Sequence, residues 1–327
     1  MKITMLGYTG TGKTCYMLGM YSFMSMGLNG FTITTQDYDE DLELNDSWDA
    51  LVEDGKWPQG TMQGTEKSYK LDLCYGAKPI LPFEWLDYRG GALRDNSSSS
   101  DVEKLKNHAK ESDCIFLCIS GEHLTEEIVD STGAVNNNAK AKAARKLQTS
   151  RMNRIIQDIG AKVGAASNNP FPIAIVITKY DLCMQRGKEA VIRDIKELLD
   201  PLFTENSSWL TTIIPVSLGK DVQSGGEINP IAIHLPVVFA VYIQLRNTAN
   251  QLNLSRKSVS GQLTDAKSRN FISRWLNSSE IDNKEKRIKE LESQSSDILS
   301  KMQLLVQQLG KVAVFQGKDE VDINVGF

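Results

Sequence analysis

Histidine and cysteine are scarce in this chain of 327 residues, with three and five copies. The cysteines are scattered, odd in number and without metal-ligand spacing, which argues against a disulfide framework and against a zinc site. They predict reduced thiols in a cytoplasmic protein. The first residues also lack the charged and apolar regions of a signal peptide.

Long apolar runs and an excess of basic charge are missing as well. The longest apolar stretch, Ile231–Leu245, has 15 residues and contains His234 and Pro236, whereas a membrane span needs about 20. Thirty-seven basic and 41 acidic residues give a net charge of −4, which argues against a chain-wide surface for nucleic acid. The ordinary hydrophobic content of 41% predicts a globular protein of about two domains.

The sequence does contain a phosphate loop, close to its start. Residues Ile3–Leu6 predict a short strand, and the next eight, Gly7–Thr14, read G-x-x-x-x-G-K-[ST]. The glycines let backbone N–H groups approach phosphate oxygens closely. In such a loop the Lys13 ammonium bridges the outer two phosphates and the Thr14 hydroxyl binds Mg²⁺. The motif therefore predicts binding of a nucleoside triphosphate.

A D-x-x-G element, Asp87–Gly90, follows the predicted end of a strand at Pro82–Leu86. Asp87 would reach the Mg²⁺ through water, and the Gly90 amide would bind the terminal phosphate. The tetrapeptide is common by chance, so its weight comes from its position after the phosphate loop.

Two later motifs predict recognition of the base. Thr178–Asp181 reads T-K-x-D and follows Phe171–Ile177, an apolar run typical of a strand buried on both faces. The carboxylate of Asp181 can accept two hydrogen bonds from the guanine edge, and Lys179 would lie along the base. Adenine offers no such pair of donors, and an unpaired buried acceptor costs about 1–3 kcal/mol. After the predicted strand Thr212–Val216, a backbone amide of S-x-G-K would recognise the guanine carbonyl oxygen.

These ordered motifs resemble the Ras-like P-loop GTPases of the TRAFAC type, over about residues 1–253. The resemblance implies an α/β, three-layer P-loop GTPase fold with a mostly parallel central sheet. It also implies binding of GTP or GDP with Mg²⁺ and hydrolysis of GTP. Thr178 stands where the family usually has asparagine, which removes a side-chain amide that ties the base loop to the phosphate loop. The expected nucleotide contacts are Gly7, Thr9, Gly10, Thr11, Gly12, Lys13, Thr14, Cys15, Gly90, Thr178, Lys179, Asp181, Ser217 and Leu218.

The catalytic residues are less clearly marked than the binding residues. Gly91 follows D-x-x-G, where the family often has a glutamine that orients the attacking water, and this departure predicts slow hydrolysis without a partner. Lys13 is one expected catalytic residue. Arg89 is a second, supplying transition-state charge as Arg94 also could, although both arginines also fit a mobile surface. The alternative is an interaction module that binds GTP or GDP with little or no hydrolysis.

An ATPase or a small-molecule kinase would use the phosphate loop equally well. It would leave the T-K-x-D motif, Thr178–Asp181, without a purpose, so guanine is the expected base.

The enlarged switch I region, residues 31–66, is expected to hold a metal-binding threonine. Thr61 and Thr65 are the two candidates. The spacing to Asp87 fits Thr65, whereas the W-P-x-x-T pattern that begins at Trp57 resembles a bacterial GTPase subgroup and favours Thr61. The expected metal ligands are therefore Thr14, Asp87 and one of these two threonines.

This region is also strongly acidic. Nine carboxylates lie between Asp37 and Asp54, and no lysine or arginine occurs between Lys13 and Lys56. The segment fits a solvated helix face, or a surface that docks a basic protein effector or regulator when the nucleotide changes.

A helical C-terminal extension is predicted over residues 254–327, after the GTPase domain of residues 1–253. Before it, two long helices are predicted at about Asn138–Val163, which is basic early on, and Asn229–Asn253. Apolar residues at heptad spacing across Ser278–Leu309 fit a homodimeric coiled coil or an intrachain helical hairpin, and we favour the hairpin. Alternating valines in Lys311–Phe327 predict a terminal strand or hairpin.

Overall fold

A computed structural model of the chain describes residues 1–58, 67–87, 99–163, 170–205, 207–222, 225–268, 278–310 and 312–323. The chain divides into two compact units, one formed by Met1–Ala240 with Lys311–Phe327 and one by Val241–Gly310.

A large sheet forms the centre of the first unit. Its strands are β1 (Lys2–Leu6), β2 (Phe31–Thr35), β3 (Lys67–Tyr75), β4 (Lys78–Asp87), β5 (Cys114–Ser120), β6 (Phe171–Thr178), β7 (Trp209–Pro215), β10 (Val314–Gln316) and β11 (Asp319–Glu320). The order is β11-β10-β7-β6-β5-β1-β4-β3-β2. The pairings from β4 through β1, β5 and β6 to β7 are parallel, and those at both ends are antiparallel. A separate small hairpin pairs β8 (Ser217–Gly219) with β9 (Ile228–Ile231).

Helices cover both faces of this sheet. They are α1 (Lys13–Ser25), α2 (Tyr38–Val52), α3 (Ser99–Glu111), α4 (Asn137–Leu147), α5 (Thr149–Val163) and α6 (Lys188–Leu198). Every residue of β5 and β6 is buried, as their continuous apolar sequences predict.

On one face, alternate residues of β5 and β6 share a core with helices α3 to α6. On the other, Tyr16 of α1 packs against Trp85 of β4, with ring centroids 6.1 Å apart. Trp85 also contacts Phe116 of β5 edge to face, at 5.3 Å. The predicted α/β, three-layer fold with a mostly parallel central sheet and C-terminal helices is confirmed.

The helix predicted over Asn138–Val163 is two helices, because the chain turns at Gln148. This residue has a left-handed backbone conformation, with φ of 55°, and its N–H donates to the Ala144 carbonyl at the end of α4. The break brings the Gln148 side chain to the phosphate loop, where its Oε1 accepts a hydrogen bond from the Tyr8 hydroxyl at 3.3 Å.

The helix predicted over Asn229–Asn253 begins later and runs further. Pro230 favours an extended conformation for the residue before it, and β9 occupies Ile228–Ile231. Helix α7 then spans Leu235–Ser268, with Pro236 in its first turn, where the missing N–H is not needed. The boundary drawn at Asn253 from the sequence therefore lies inside a continuous helix, and the two compact units divide after Ala240.

The second unit contains the rest of α7 and helix α8 (Ser278–Leu309). Two ion pairs join the helices, Lys267 with Glu285 at 2.7 Å and Arg256 with Glu292 at 3.7 Å. Partners late in α7 meet residues early in α8, so the pairing is that of an antiparallel hairpin within one chain. Within the described residues, no helix combines the length and the apolar character that a membrane span needs.

Candidate nucleotide-binding site

The sequence motifs lie together because their strands end at one edge of the sheet. Strands β1, β4, β5, β6 and β7 run parallel, and ligands of such sheets bind outside the carboxyl ends of the strands. The phosphate loop follows β1, Asp87 ends β4, and the T-K-x-D motif begins with the last residue of β6.

The phosphate loop wraps tightly around the Lys13 side chain. The Lys13 ammonium donates to the Gly7 carbonyl at 2.8 Å and to the Tyr8 carbonyl at 3.0 Å. A Cβ atom on Gly7 would lie 2.7 Å from the Cys118 carbonyl oxygen of β5, so only glycine fits where the loop leaves the sheet. Helix α1 begins at Lys13, and its first N–H groups form the anion-binding end of a helix.

Thr14 and Asp87 form the candidate metal site. The Thr14 hydroxyl donates to Asp87 Oδ2 at 3.0 Å. Asp87 is 4% exposed, and its other oxygen, Oδ1, is buried without a hydrogen-bond partner. A buried unpaired carboxylate oxygen beside a hydroxyl fits a hard cation such as Mg²⁺, which takes one or two protein oxygens and completes its shell with water and phosphate. In the described part of the chain, no group of three or more His, Cys, Asp or Glu side chains converges on one point.

Burial shifts the pKa values of both charged groups at this end of the loop. Desolvation raises the pKa of Asp87 above its ordinary value, and the nearby Lys13 opposes this effect. Desolvation also lowers the pKa of Lys13, against the attraction of Asp87. Burial therefore disfavours the ionised form of each group by more than their mutual attraction favours it.

The sequence predicts that threonine at position 178, instead of the usual asparagine, removes a side-chain link to the phosphate loop. In the structure Thr178 makes such a link itself. Its hydroxyl lies within hydrogen-bond distance of the Thr11 carbonyl in the phosphate loop and of the Ile119 carbonyl, the latter at 3.2 Å. A threonine hydroxyl has one proton to donate, so one bond forms at a time. The base loop and the phosphate loop are thus still joined by a side chain.

Asp181 is held in place by residues 216–219, which follow β7 and which we call the base strap. Ser217 donates from its hydroxyl to Asp181 Oδ1 at 2.7 Å, and the Gly219 N–H donates to the same hydroxyl at 3.1 Å. The Tyr180 N–H also donates to the Val216 carbonyl at 3.1 Å. These bonds fix the carboxylate and leave its second oxygen for a ligand.

Lys179 has a partner that the sequence did not reveal. Its ammonium donates to Glu122 Oε2 at 3.0 Å, and this bond is the largest of the effects that lower the pKa of Glu122. Glu122 lies two residues after the end of β5. Sequence separation hides this contact, since only the pairing of β5 with β6 brings the two residues together.

A cavity of about 290 Å³ opens between these motifs. Of the predicted contacts, Gly12, Cys15, Thr178, Lys179, Asp181, Ser217 and Leu218 line it. The rest of the wall consists of residues that were not among the predicted contacts: Tyr16, Leu51, Trp57, Leu182, Val216, Gly219, Asp221 and Val222. Leu51 and Trp57 come from the segment 31–66, for which the sequence predicts a switch I role.

Several predicted residues lie outside the described part of the chain. They are the metal candidates Thr61 and Thr65, the D-x-x-G residues Arg89 and Gly90, and the neighbours Gly91 and Arg94.

No protein-family model matches the chain, and no curated protein matches it. Among solved structures, it is similar to a GTP-binding protein of the archaeon Sulfolobus solfataricus in complex with GDP, with 16% identity and a TM-score of 0.31 over 66% of this chain and 46% of that one. It is also similar to two mutation variants of SsGBP, each 14% identical with a TM-score of 0.32. The two matches cover 76% and 75% of this chain and 56% of each variant's chain. The chain thus spans about half the length of these structures.

Proposed function

We propose that this protein is a guanine-nucleotide-binding switch that takes GTP and GDP together with Mg²⁺. The observation that carries the proposal is one sheet edge that holds a phosphate loop, a buried aspartate with a free oxygen, and a cavity whose wall includes Gly12 of that loop and the fixed aspartate Asp181. Phosphate, metal and base would each meet the chemistry they need within the reach of one nucleotide.

The site residues that the structure describes each have a role in this proposal. A bound phosphate would replace the Gly7 and Tyr8 carbonyls as the partner of Lys13, because an anion is the stronger acceptor. Thr14 and Asp87 would hold Mg²⁺, which when bound neutralises charge on the outer phosphates. Asp181 would accept from the guanine ring N–H and amino group, and the Ser217 hydroxyl would hold it in that orientation.

The proposed reaction is slow hydrolysis of GTP to GDP and phosphate. Lys13 would stabilise charge on the phosphoryl group in the transition state. Arg89, Gly90 and one of Thr61 and Thr65 remain proposals from the sequence. The replacement of the usual glutamine by Gly91 supports slow turnover without a partner.

Nucleotide binding would be detected by another protein. The acidic face of α2 is the surface that we propose for a basic effector or regulator, through charge complementarity. The five cysteines are free thiols, in keeping with the proposed cytoplasmic location.

The base assignment can be tested by calorimetry with GDP, IDP and ADP at fixed Mg²⁺. IDP lacks the guanine amino group, so the wild type should bind it about tenfold more weakly than GDP, and ADP more weakly still. Asp181→Asn should lower GDP affinity by roughly 10- to 100-fold and remove the preference over IDP.

Asp221→Asn is the matched control, because it makes the same charge change at another carboxylate of the same cavity. Asparagine also tolerates the left-handed backbone of that position. This variant should keep the preference for GDP over IDP. Equal binding of ADP and GDP by the wild type would contradict the proposal.

A further inference from the structure

The end of helix α2 supplies two apolar walls of the cavity. Leu51, in the last turn of the helix, is buried, and Trp57, five residues after the helix ends, is 58% exposed and lines the same space. An indole that is open to solvent at the rim of a cavity leaves a large apolar surface for a ligand to cover.

The chain between them is shaped to place Trp57. Gly55 has a left-handed backbone, with φ of 64°, which glycine adopts without steric cost. The Lys56 N–H then donates to the Ala50 carbonyl at 2.9 Å. The turn folds the chain back against the end of α2, so the position of Trp57 depends on the position of the helix.

The middle of α2 reaches the same cavity through a second contact. A Cβ atom on Gly19 of α1 would lie 2.3 Å from Leu218 Cδ2 and 3.0 Å from Trp48 Cζ3. Trp48 of α2 and Leu218 of the base strap therefore both pack against Gly19. Since Leu218 also lines the cavity, α2 contacts the base side of the site at its middle and at its end.

We infer that Trp57 contacts the guanine base, and that α2 is held by occupancy of the base pocket rather than by the third phosphate. The inference rests on the proposed function. GDP and GTP carry the same base, so both should fix α2 equally. The acidic face of α2 would then distinguish the nucleotide-bound protein from the empty one.

Substitution of Trp57 tests the contact. Trp57→Ala should weaken the binding of GDP and of a non-hydrolysable GTP analogue by the same factor, about tenfold, because stacking on the base is lost. Trp57→Phe should keep affinity within about threefold, since a smaller ring still stacks. Tyr38→Ala is the matched control: Tyr38 lies at the start of α2, is 73% exposed and is not part of the cavity wall. It should bind both nucleotides as the wild type does.

Hydrogen exchange on the unaltered chain of 327 residues tests the second part of the inference, that occupancy of the base pocket holds α2. Amides of Tyr38–Val52 should exchange more slowly with GDP, and to the same extent with the GTP analogue. Slowing with the analogue alone, or a Trp57→Ala variant that binds like the wild type, would overturn the inference and leave the proposed function intact. Failure of the wild type to bind either guanine nucleotide would instead refute both.

Discussion

Asp87 and Lys13 are two buried, oppositely charged groups whose ionised forms are both disfavoured by burial. A raised carboxyl pKa contributes stability at low pH, and this stability is lost as pH rises through the folded-state pKa. A lowered ammonium pKa contributes stability at high pH, which is lost as pH falls through its own folded-state pKa. At neutral pH the ligand-free site therefore destabilises the fold, and phosphate and Mg²⁺ would reverse this effect.

Asp87→Asn should raise the melting midpoint of the nucleotide-free protein at neutral pH, on the order of 2 °C. Asparagine removes the buried charge at the same shape, at the expense of Mg²⁺ binding. The increase should shrink as pH falls below the folded-state pKa of Asp87 and vanish below its unfolded-state pKa, where the carboxyl is neutral in both states. Thermal melts across pH, with and without MgCl₂ and GDP, would measure both effects.

Asp113→Asn is a suitable comparison, because that carboxylate accepts an exposed hydrogen bond from the Lys2 N–H outside the site. Asp113→Asn should not raise the melting midpoint of the nucleotide-free protein as Asp87→Asn does. A fall in the nucleotide-free midpoint of Asp87→Asn at neutral pH would contradict the sign argued for Asp87.

Single residues also show what sequence reasoning can and cannot supply. The motifs that contain Lys13, Thr14 and Asp181 can be found in the sequence because residue type and order define them, and the roles of these residues toward a nucleotide remain proposals. The Thr178 hydroxyl bond to the phosphate loop was not, since side-chain reach decides whether threonine can replace asparagine. The ion pair of Lys179 with Glu122 was likewise hidden, because the two residues are 57 positions apart in the sequence.

Helices and strands were predicted well where apolar runs or spacing define them, as in β6 and β7. The predictions were less accurate at helix ends, because a single backbone conformation decides these. Gln148 splits a continuous helical pattern by adopting a positive φ, which nothing in its side chain requires. The packing of α2 over α1 depends on space above Gly19, and a sequence does not show which element occupies that space.

Gly19→Ala should weaken GDP binding by about 1 kcal/mol or more, because the added methyl group overpacks the contact between α1 and the base strap. Overall stability should change less, since alanine favours the helix by up to about 1 kcal/mol over glycine. Fluorescence titration with GDP and urea unfolding would separate the two effects.

The rescue variant is Leu218→Ala in the Gly19→Ala background. Removal of the leucine branches makes room for the new methyl group, so the double variant should bind GDP more tightly than additivity of the two single changes predicts. Strict additivity would show that Gly19 and Leu218 do not act through one contact.

At the scale of the whole molecule, the three-layer fold could be predicted from the sequence, whereas the order of the strands could not. Strand order follows from sheet pairing between distant segments, and the tail joins the sheet through β10, which pairs antiparallel with β7. The apolar seam of α8 was compatible with a partner helix from the same chain or from a second copy. The ion pairs between α7 and α8 favour the hairpin.

The hairpin predicts a monomer whose stability depends on the α8 seam but not on protein concentration. Leu291→Ala should lower the free energy of unfolding by about 2–4 kcal/mol, because the side chain is 1% exposed and its loss leaves a cavity. Leu299→Ala, at a residue of the same helix that is 38% exposed, should cost less than about 1 kcal/mol. Sedimentation analysis should give the monomer mass for wild type and both variants, and the urea midpoints should be the same at low and high protein concentration. A dimer mass for the wild type, with midpoints that rise with concentration, would favour the coiled coil between two chains, because only an intermolecular seam links stability to mass action.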